Sequence, residues 1–302
     1  MAATGPGRIA GWLLAPTPLP EKGGQISLAV LRIIAGLIWL HNVAWKIPPD
    51  FGENRDGGLY LFTNLAVDHP VFAPYSWAVE HVVLPNFTAF GWLVLALEST
   101  LAVLLLTGTL VRFAALLGIG QSLAIGLSVA EAPHEWPWAY IMLIAIHVVL
   151  LFTACARFAA VDAIRALPDA AARPAAVRFL GVWGVVVAFI GAAAMLVAIG
   201  NDAPITVGST DLEVTFGEYN LRGGLVLLVV GVAMIVAAVI RASVVAFVAA
   251  AVAVGAAVWI YIQFGRGEVW LGGTTETAVV FGCAAVVAVT TGMRINQPKG
   301  LS

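Results

Sequence analysis

Residues 178–200 read RFLGVWGVVVAFIGAAAMLVAIG, with a single charge at the first position. A helix crossing the hydrocarbon core of a bilayer takes about 20 mostly apolar residues, and this run meets that length. It is too long and too continuous for a barrel strand, which alternates over about ten residues. Backbone groups inside lipid must bond within the protein, and a helix satisfies them within one segment.

Seven further runs have the same character, at 27–46, 88–107, 112–130, 138–155, 222–240, 243–263 and 276–293. Polar or proline-bearing breaks separate them: Pro48-Pro49, Thr107-Gly108, Pro133 to Pro137, Pro168 to Pro174, and Asn201 to Pro204. The sixth and seventh runs meet at Arg241 with almost no loop, so one long bent segment is an alternative there. The chain is 61% hydrophobic and 11% charged, with a mean hydropathy of +0.97. Soluble domains carry roughly 25% charged residues to cover a water-facing surface, so lipid must solvate much of this chain. The expectation is an all-α, polytopic transmembrane helical bundle of about eight spans.

The net charge is −2 and there is no basic tract, which argues against a nucleic-acid partner. Cys155 and Cys283 each stand inside an apolar run, so no disulfide framework and no metal site is expected. The four prolines before Ile26, and the lack of a small-residue cleavage site, predict that the first run is a retained span rather than a signal peptide.

Orientation follows from Lys and Arg. With the N-terminus inside, Arg8, Lys22, Arg112, Arg157, Arg165, Arg173, Arg178, Arg241, Arg294 and Lys299 are cytoplasmic. Lys46, Arg55, Arg222 and Arg266 face the other side. The bias predicts a multi-pass plasma-membrane protein with both termini cytoplasmic. Trp45, Trp92, Trp136, Trp138 and Trp270 fall at expected outer ends, where an amphipathic ring suits the interface.

The spans group into two halves. Residues 1–26 form a cytoplasmic N-terminal segment, and 27–165 hold four spans with most of the intramembrane polar residues. Within that half, the outer loop 46–87 is acidic and aromatic and reads as a structured cap, with 75–84 as a short helix against the membrane. Residues 166–177 are a cytoplasmic connector, 178–293 a second four-span half, and 294–302 a cytoplasmic tail.

Ionisable groups inside the hydrocarbon are costly and mark sites. Arg32 and Glu98 are expected to pair as a buried polar site, either pinning two helices or placing a protonatable carboxyl beside a cavity. His147, midway along the fourth span, is open to three roles: proton relay, haem ligation or an interhelical hydrogen bond, with Gln121 midway along the third span. His41, Asn42 and Lys46 stand at an outer mouth, to which His69, His81 and His134 in the outer loops contribute; interfacial anchoring by Lys46 and Trp45 is the alternative. Gly118, Gly120, Gly126, Gly223, Gly224 and Gly231 suit close helix packing.

Certain stretches of 27–165 resemble the DoxX/DoxD family, which includes the small subunit of thiosulfate:quinone oxidoreductase. They are Leu31-Arg32 through Gly36, Trp39 and Lys46; Val82-Val-Leu-Pro-Asn86 with Phe90-Gly91 and Glu98; Gly108 with Arg112; Trp138-Ala-Tyr140; and Arg157-Phe-Ala-Ala-Val-Asp162. Ala156 departs from the family's usual glycine, and the second half resembles no family. The resemblance implies membrane redox work: a subunit of a quinone-linked oxidoreductase, delivering electrons from a sulfur compound such as thiosulfate to a quinone. It places Arg32, Glu98 and His147 as catalytic candidates, His41, Lys46, Trp138 and Tyr140 at the mouth, and Arg112, Arg157 and Asp162 on the cytoplasmic flank. No covalently bound cofactor is expected; the partners are membrane lipid and a soluble or periplasmic redox subunit, with a homo-oligomer left open. Two other readings stay open: a non-catalytic scaffold that docks a redox partner, and a small proton-coupled transporter using Glu98 and His147.

Overall fold

The computed structural model describes residues 11–15, 21–55, 57–199, 204–209, 212–264 and 270–296, with backbone alone for 204–209 and 212–214. Arg8, Arg266 and Lys299 of the charge count, and much of the two terminal segments, lie outside the described residues.

Every expected apolar run is helical. The long helices are α1 (Lys22–Ala44), α4 (Phe87–Thr107), α5 (Val111–Val129), α8 (Asp169–Ala198), α9 (Leu221–Ile240), α10 (Ser243–Gln263) and α11 (Thr275–Ile295). Shorter helices are α2 (Gly58–Asp68), α3 (Ala73–Ala78), α6 (Pro137–Phe152) and α7 (Val161–Arg165). Among the described residues, seven helices are long and apolar enough to cross a membrane, and the fold is an all-α polytopic bundle. The eighth run, α6, is a 16-residue helix. At 1.5 Å per residue it covers about 24 Å, short of a 30 Å hydrocarbon core. Apolar side chains face outward on several helices: Phe189, Leu196, Val239 and Val244 are 70–75% exposed, a surface that lipid solvates and water does not.

Three details depart from the sequence reading, and one, the third below, decides for separate sixth and seventh runs over the bent-segment alternative. First, the outer region 46–87 is largely helical, and its second part is no separate surface helix. A π-helical turn at Val79–Val83 and a 3-10 turn at Leu84–Asn86 carry α3 directly into α4. Pro85 lacks the N–H that a regular α-helical ladder would need there, so the backbone changes its hydrogen-bond register instead of ending. Second, the 166–177 connector is mostly the start of α8, with Pro174 inside the helix. Third, the junction at Arg241 is a true break, because Arg241 adopts the left-handed conformation that ends a helix.

Fourth, an antiparallel hairpin, β1 (Pro204–Ser209) and β2 (Leu212–Glu218), stands between α8 and α9. Its strands are rich in β-branched residues, Ile205-Thr-Val and Val214-Thr, a composition that favours strand, in runs shorter than any span. β2 packs against α1 and α11, so the hairpin links the two halves at the Lys46 end.

The described residues form two cores, one centred on each half, and α11 belongs to both. Its Ala284, Ala288 and Ile295 pack among α8, α9 and α10, whereas Val279 and Cys283 pack into the core of α1, α4, α5 and α6. A polar seam fixes this arrangement. Thr275 Oγ1 donates to Val43 O at 2.6 Å, and Ser99 Oγ and Tyr261 OH share a hydrogen bond of 3.0 Å. Glu276, buried, accepts from Thr215 and from Thr275. Tyr219 caps the seam; burial and then the Glu276 carboxylate push its phenol above the ordinary value, so it remains a proton donor. Within the second half, α8 and α9 approach through glycine. A methyl group at Gly231 would lie 2.3 Å from Ala188 N, and one at Gly191 would lie 2.4 Å from Leu228 N.

Candidate functional site

At the end of α1 the chain leaves the helix at Trp45, and the Lys46 side chain folds back over the last turn. Lys46 Nζ donates to Asn42 O at 2.7 Å, satisfying a carbonyl that the helix end leaves unpaired. The ammonium stands 3.7 Å from the Trp45 ring centroid and 2.6 Å from Glu98 Oε2. Glu98 projects from the middle of α4, and its Oε1 accepts from Gln121 Nε2 of α5 at 3.0 Å. Oε2 takes no well-aimed hydrogen bond, so its tie to Lys46 is a charge contact. The side chains of Lys46 and Glu98 are 2% and 0% exposed. A buried pair of this kind is stable only while both members are present, since either alone is an uncompensated charge.

This triad forms the polar floor of a cavity of about 640 Å³. Phe90, Leu93, Leu97 and Ile125 wall it, and Leu59, Phe62 and Thr63 of α2 roof it. Its polar rim is Tyr75, whose hydroxyl bonds to Ala124 O at 3.1 Å and Ser128 Oγ at 2.8 Å, and Tyr140, which donates to Glu135 Oε2 at 2.5 Å. The result is a mostly apolar chamber with a cation, a carboxylate and an amide converging at one end, the arrangement of small-molecule sites.

The expected pairing of Arg32 with Glu98 is overturned. Arg32 is fully buried, yet its Nη2 donates to Ala159 O at 2.8 Å and Phe158 O at 3.5 Å. Lys46 follows Arg32 by fourteen residues, about 21 Å along a helix axis. The polar residues of the first half therefore make two sites. In the second, Asp162 N donates to Gly108 O at 2.9 Å, and Asp162 Oδ2 accepts from Val111 N at 3.0 Å. Gly108 has a φ of 68° and leaves no room for a side chain, because a methyl group there would meet Arg32 Nη1 at 1.7 Å. Three of the family-like stretches, those holding Arg32, Gly108 and Arg157 to Asp162, thus converge on one clamp. Arg112 lies outside it, donating to Trp12 O at 2.8 Å with its guanidinium 4.4 Å from the Trp12 ring.

His147 takes the third of its roles, an interhelical hydrogen bond. Trp39 Nε1 donates to His147 Nε2 at 2.9 Å, and His147 Nδ1 meets Leu143 O at 2.7 Å. His147 is absent from the lining of the cavity, as are the exposed His41 and Trp138. Of the mouth residues, Asn42, Lys46 and Tyr140 line it. The sequence reading left Gln121, Tyr75, Ser128 and Glu135 out of the site. Gln121 had a usable signal. Glu98 lies nine residues before the end of α4 and Gln121 ten after the start of α5, so across a tight turn they share one depth.

Comparison of the chain with protein-family models, with curated proteins and with solved structures finds no match in any of the three. The DoxX/DoxD resemblance stands on the quoted stretches alone.

Proposed function

We propose that the first half binds the headgroup of a membrane quinone in the cavity floored by Lys46, Glu98 and Gln121, and that the chain is the membrane subunit of a quinone-linked oxidoreductase. The observation that carries this reading is a buried ammonium–carboxylate–amide triad lining a mostly apolar chamber of about 640 Å³. A quinone needs that combination: apolar walls for its ring and tail, and donors for its carbonyl oxygens. Lys46 donates to one oxygen and stabilises negative charge as electrons arrive. Glu98 exchanges a proton with the same oxygen. Reduction of quinone to quinol takes two electrons and two protons. The electrons come from a partner redox protein, which by the family resemblance oxidises a sulfur compound such as thiosulfate. Both termini lie in the cytoplasm and the cavity near the outer face of the plasma membrane, as the Lys and Arg bias indicates.

Binding tests this reading without knowledge of the reductant. Titration of a short-tailed quinone into the detergent-solubilised protein is expected to quench tryptophan fluorescence saturably, since Trp45 lines the cavity. Leu97→Trp fills the chamber and abolishes saturation, and Lys46→Met weakens it about ten-fold, the loss of one charge-assisted hydrogen bond. Linear, non-saturable quenching in the wild type overturns the proposal. A scaffold that docks a redox partner without touching quinone predicts that outcome.

A further inference from the structure

A second cavity lies at the other end of the molecule, away from the triad. It has a volume of about 880 Å³ and is formed by the loop at 157–160, α7 and the first turns of α8. Its charged lining groups are both arginines, Arg157 and Arg178; no acidic residue lines it. The remaining wall is apolar and includes Phe158, Phe179, Val182 and Trp183. From there a stripe continues along α8 through Val182, Val185, Val186 and Phe189, spaced as one helical face and 44–72% exposed.

We infer that this groove is a binding site for an anionic phospholipid, its phosphate held between Arg157 and Arg178 and an acyl chain laid along the Val182 to Phe189 stripe. Arginine suits a phosphate because its planar fork gives paired donors. A free anion would have no use for the apolar stripe, which runs into the lipid-facing surface. The groove's shape is set in advance. Arg32, from inside the bundle, holds Ala159 O at 2.8 Å, and the Asp162 backbone is bonded to Gly108 O at 2.9 Å. These bonds fix the loop that presents Arg157 and Phe158. The groove shares its end with Arg112, Arg165, Arg173 and Arg294, the end that the charge bias gives to the cytoplasm, where anionic lipids collect. The site is independent of the quinone reading.

The full-length protein, equilibrated with equal amounts of phosphatidylglycerol and phosphatidylcholine in mixed micelles and analysed by native mass spectrometry, tests the inference. Phosphatidylglycerol is expected to be retained in preference, and Arg157→Gln or Arg178→Gln to weaken its retention about five-fold each. Arg222→Gln, at the opposite end, leaves retention unchanged, and an unaltered thermal melt establishes that the groove variants fold. Equal retention of the two lipids by the wild type overturns the proposal. So does an equal loss in Arg222→Gln, which marks general charge attraction. Millimolar inorganic phosphate leaves the lipid bound; its displacement by phosphate would make the groove a site for a soluble anion and overturn the lipid assignment.

Discussion

Trp39 Nε1 donates to His147 Nε2 at 2.9 Å, and this bond fixes the state of the one fully buried histidine among the described residues. An indole N–H only donates, so Nε2 must carry the lone pair and Nδ1 the proton, which goes to Leu143 O at 2.7 Å. Both nitrogens are satisfied and the ring is neutral. The imidazole seats on Gly118, where a methyl group would meet its Cδ2 at 2.1 Å. Trp39→Phe removes the donor and leaves Nε2 buried and unpaired. We expect a loss of about 1–3 kcal/mol, read from chemical denaturation in detergent. Unchanged stability would show that the nitrogen finds another donor.

The Lys46–Glu98 pair makes an asymmetric prediction. Lys46→Met alone strands the Glu98 carboxylate among apolar walls and is expected to cost about 3–5 kcal/mol. The double variant Lys46→Met/Glu98→Leu removes both charges and should recover much of that loss. A double variant as unstable as the sum of the two single ones would mean the residues act separately.

Close packing of α8 on α9 depends on the absence of side chains at Gly191 and Gly231. Gly231→Leu must push the helices apart, because the atoms in the way are backbone. We expect the variant to aggregate or to melt well below the wild type in a detergent-stability assay. Gly255→Leu, at a position with nothing within 4 Å, should be tolerated and serves as the control.

Cys155 and Cys283 are buried, at 1% and 4% exposure. Neither should react with a membrane-permeant maleimide in the folded protein, and both should react once it is denatured. Rapid labelling of either one in native membranes would show that its core opens.

How far the site could be read in advance differs from group to group. Glu98 stands out because charge in lipid is rare and expensive, and Lys46 because it closes the first span at the outer mouth. Their partnership does not, since depth counted along straight spans ignores a lysine folding back over a helix end. Arg32 was assigned the nearest carboxylate by charge. Its actual partners are the carbonyls of Phe158 and Ala159, and every residue carries such a carbonyl, so composition cannot point to them. Tyr75 reaches the cavity only because the cap region folds back over α5, and Glu135 because the loop before α6 brings it to Tyr140, neither of which a local pattern announces.

The sequence by itself determined the solvent and the elements. Runs of twenty apolar residues can only be helices in lipid, because no water is there to satisfy a bare backbone. Proline and glycine breaks then set where those helices end, within a few residues. The tertiary structure decided the partners. It sent Lys46 rather than Arg32 to Glu98, seated His147 on Gly118, and drove α11 between two halves that read as separate. These choices depend on which faces meet and how closely. A helix's apolar surface is nearly uniform around its axis in a chain this hydrophobic, so periodicity carries little record of the face that packs.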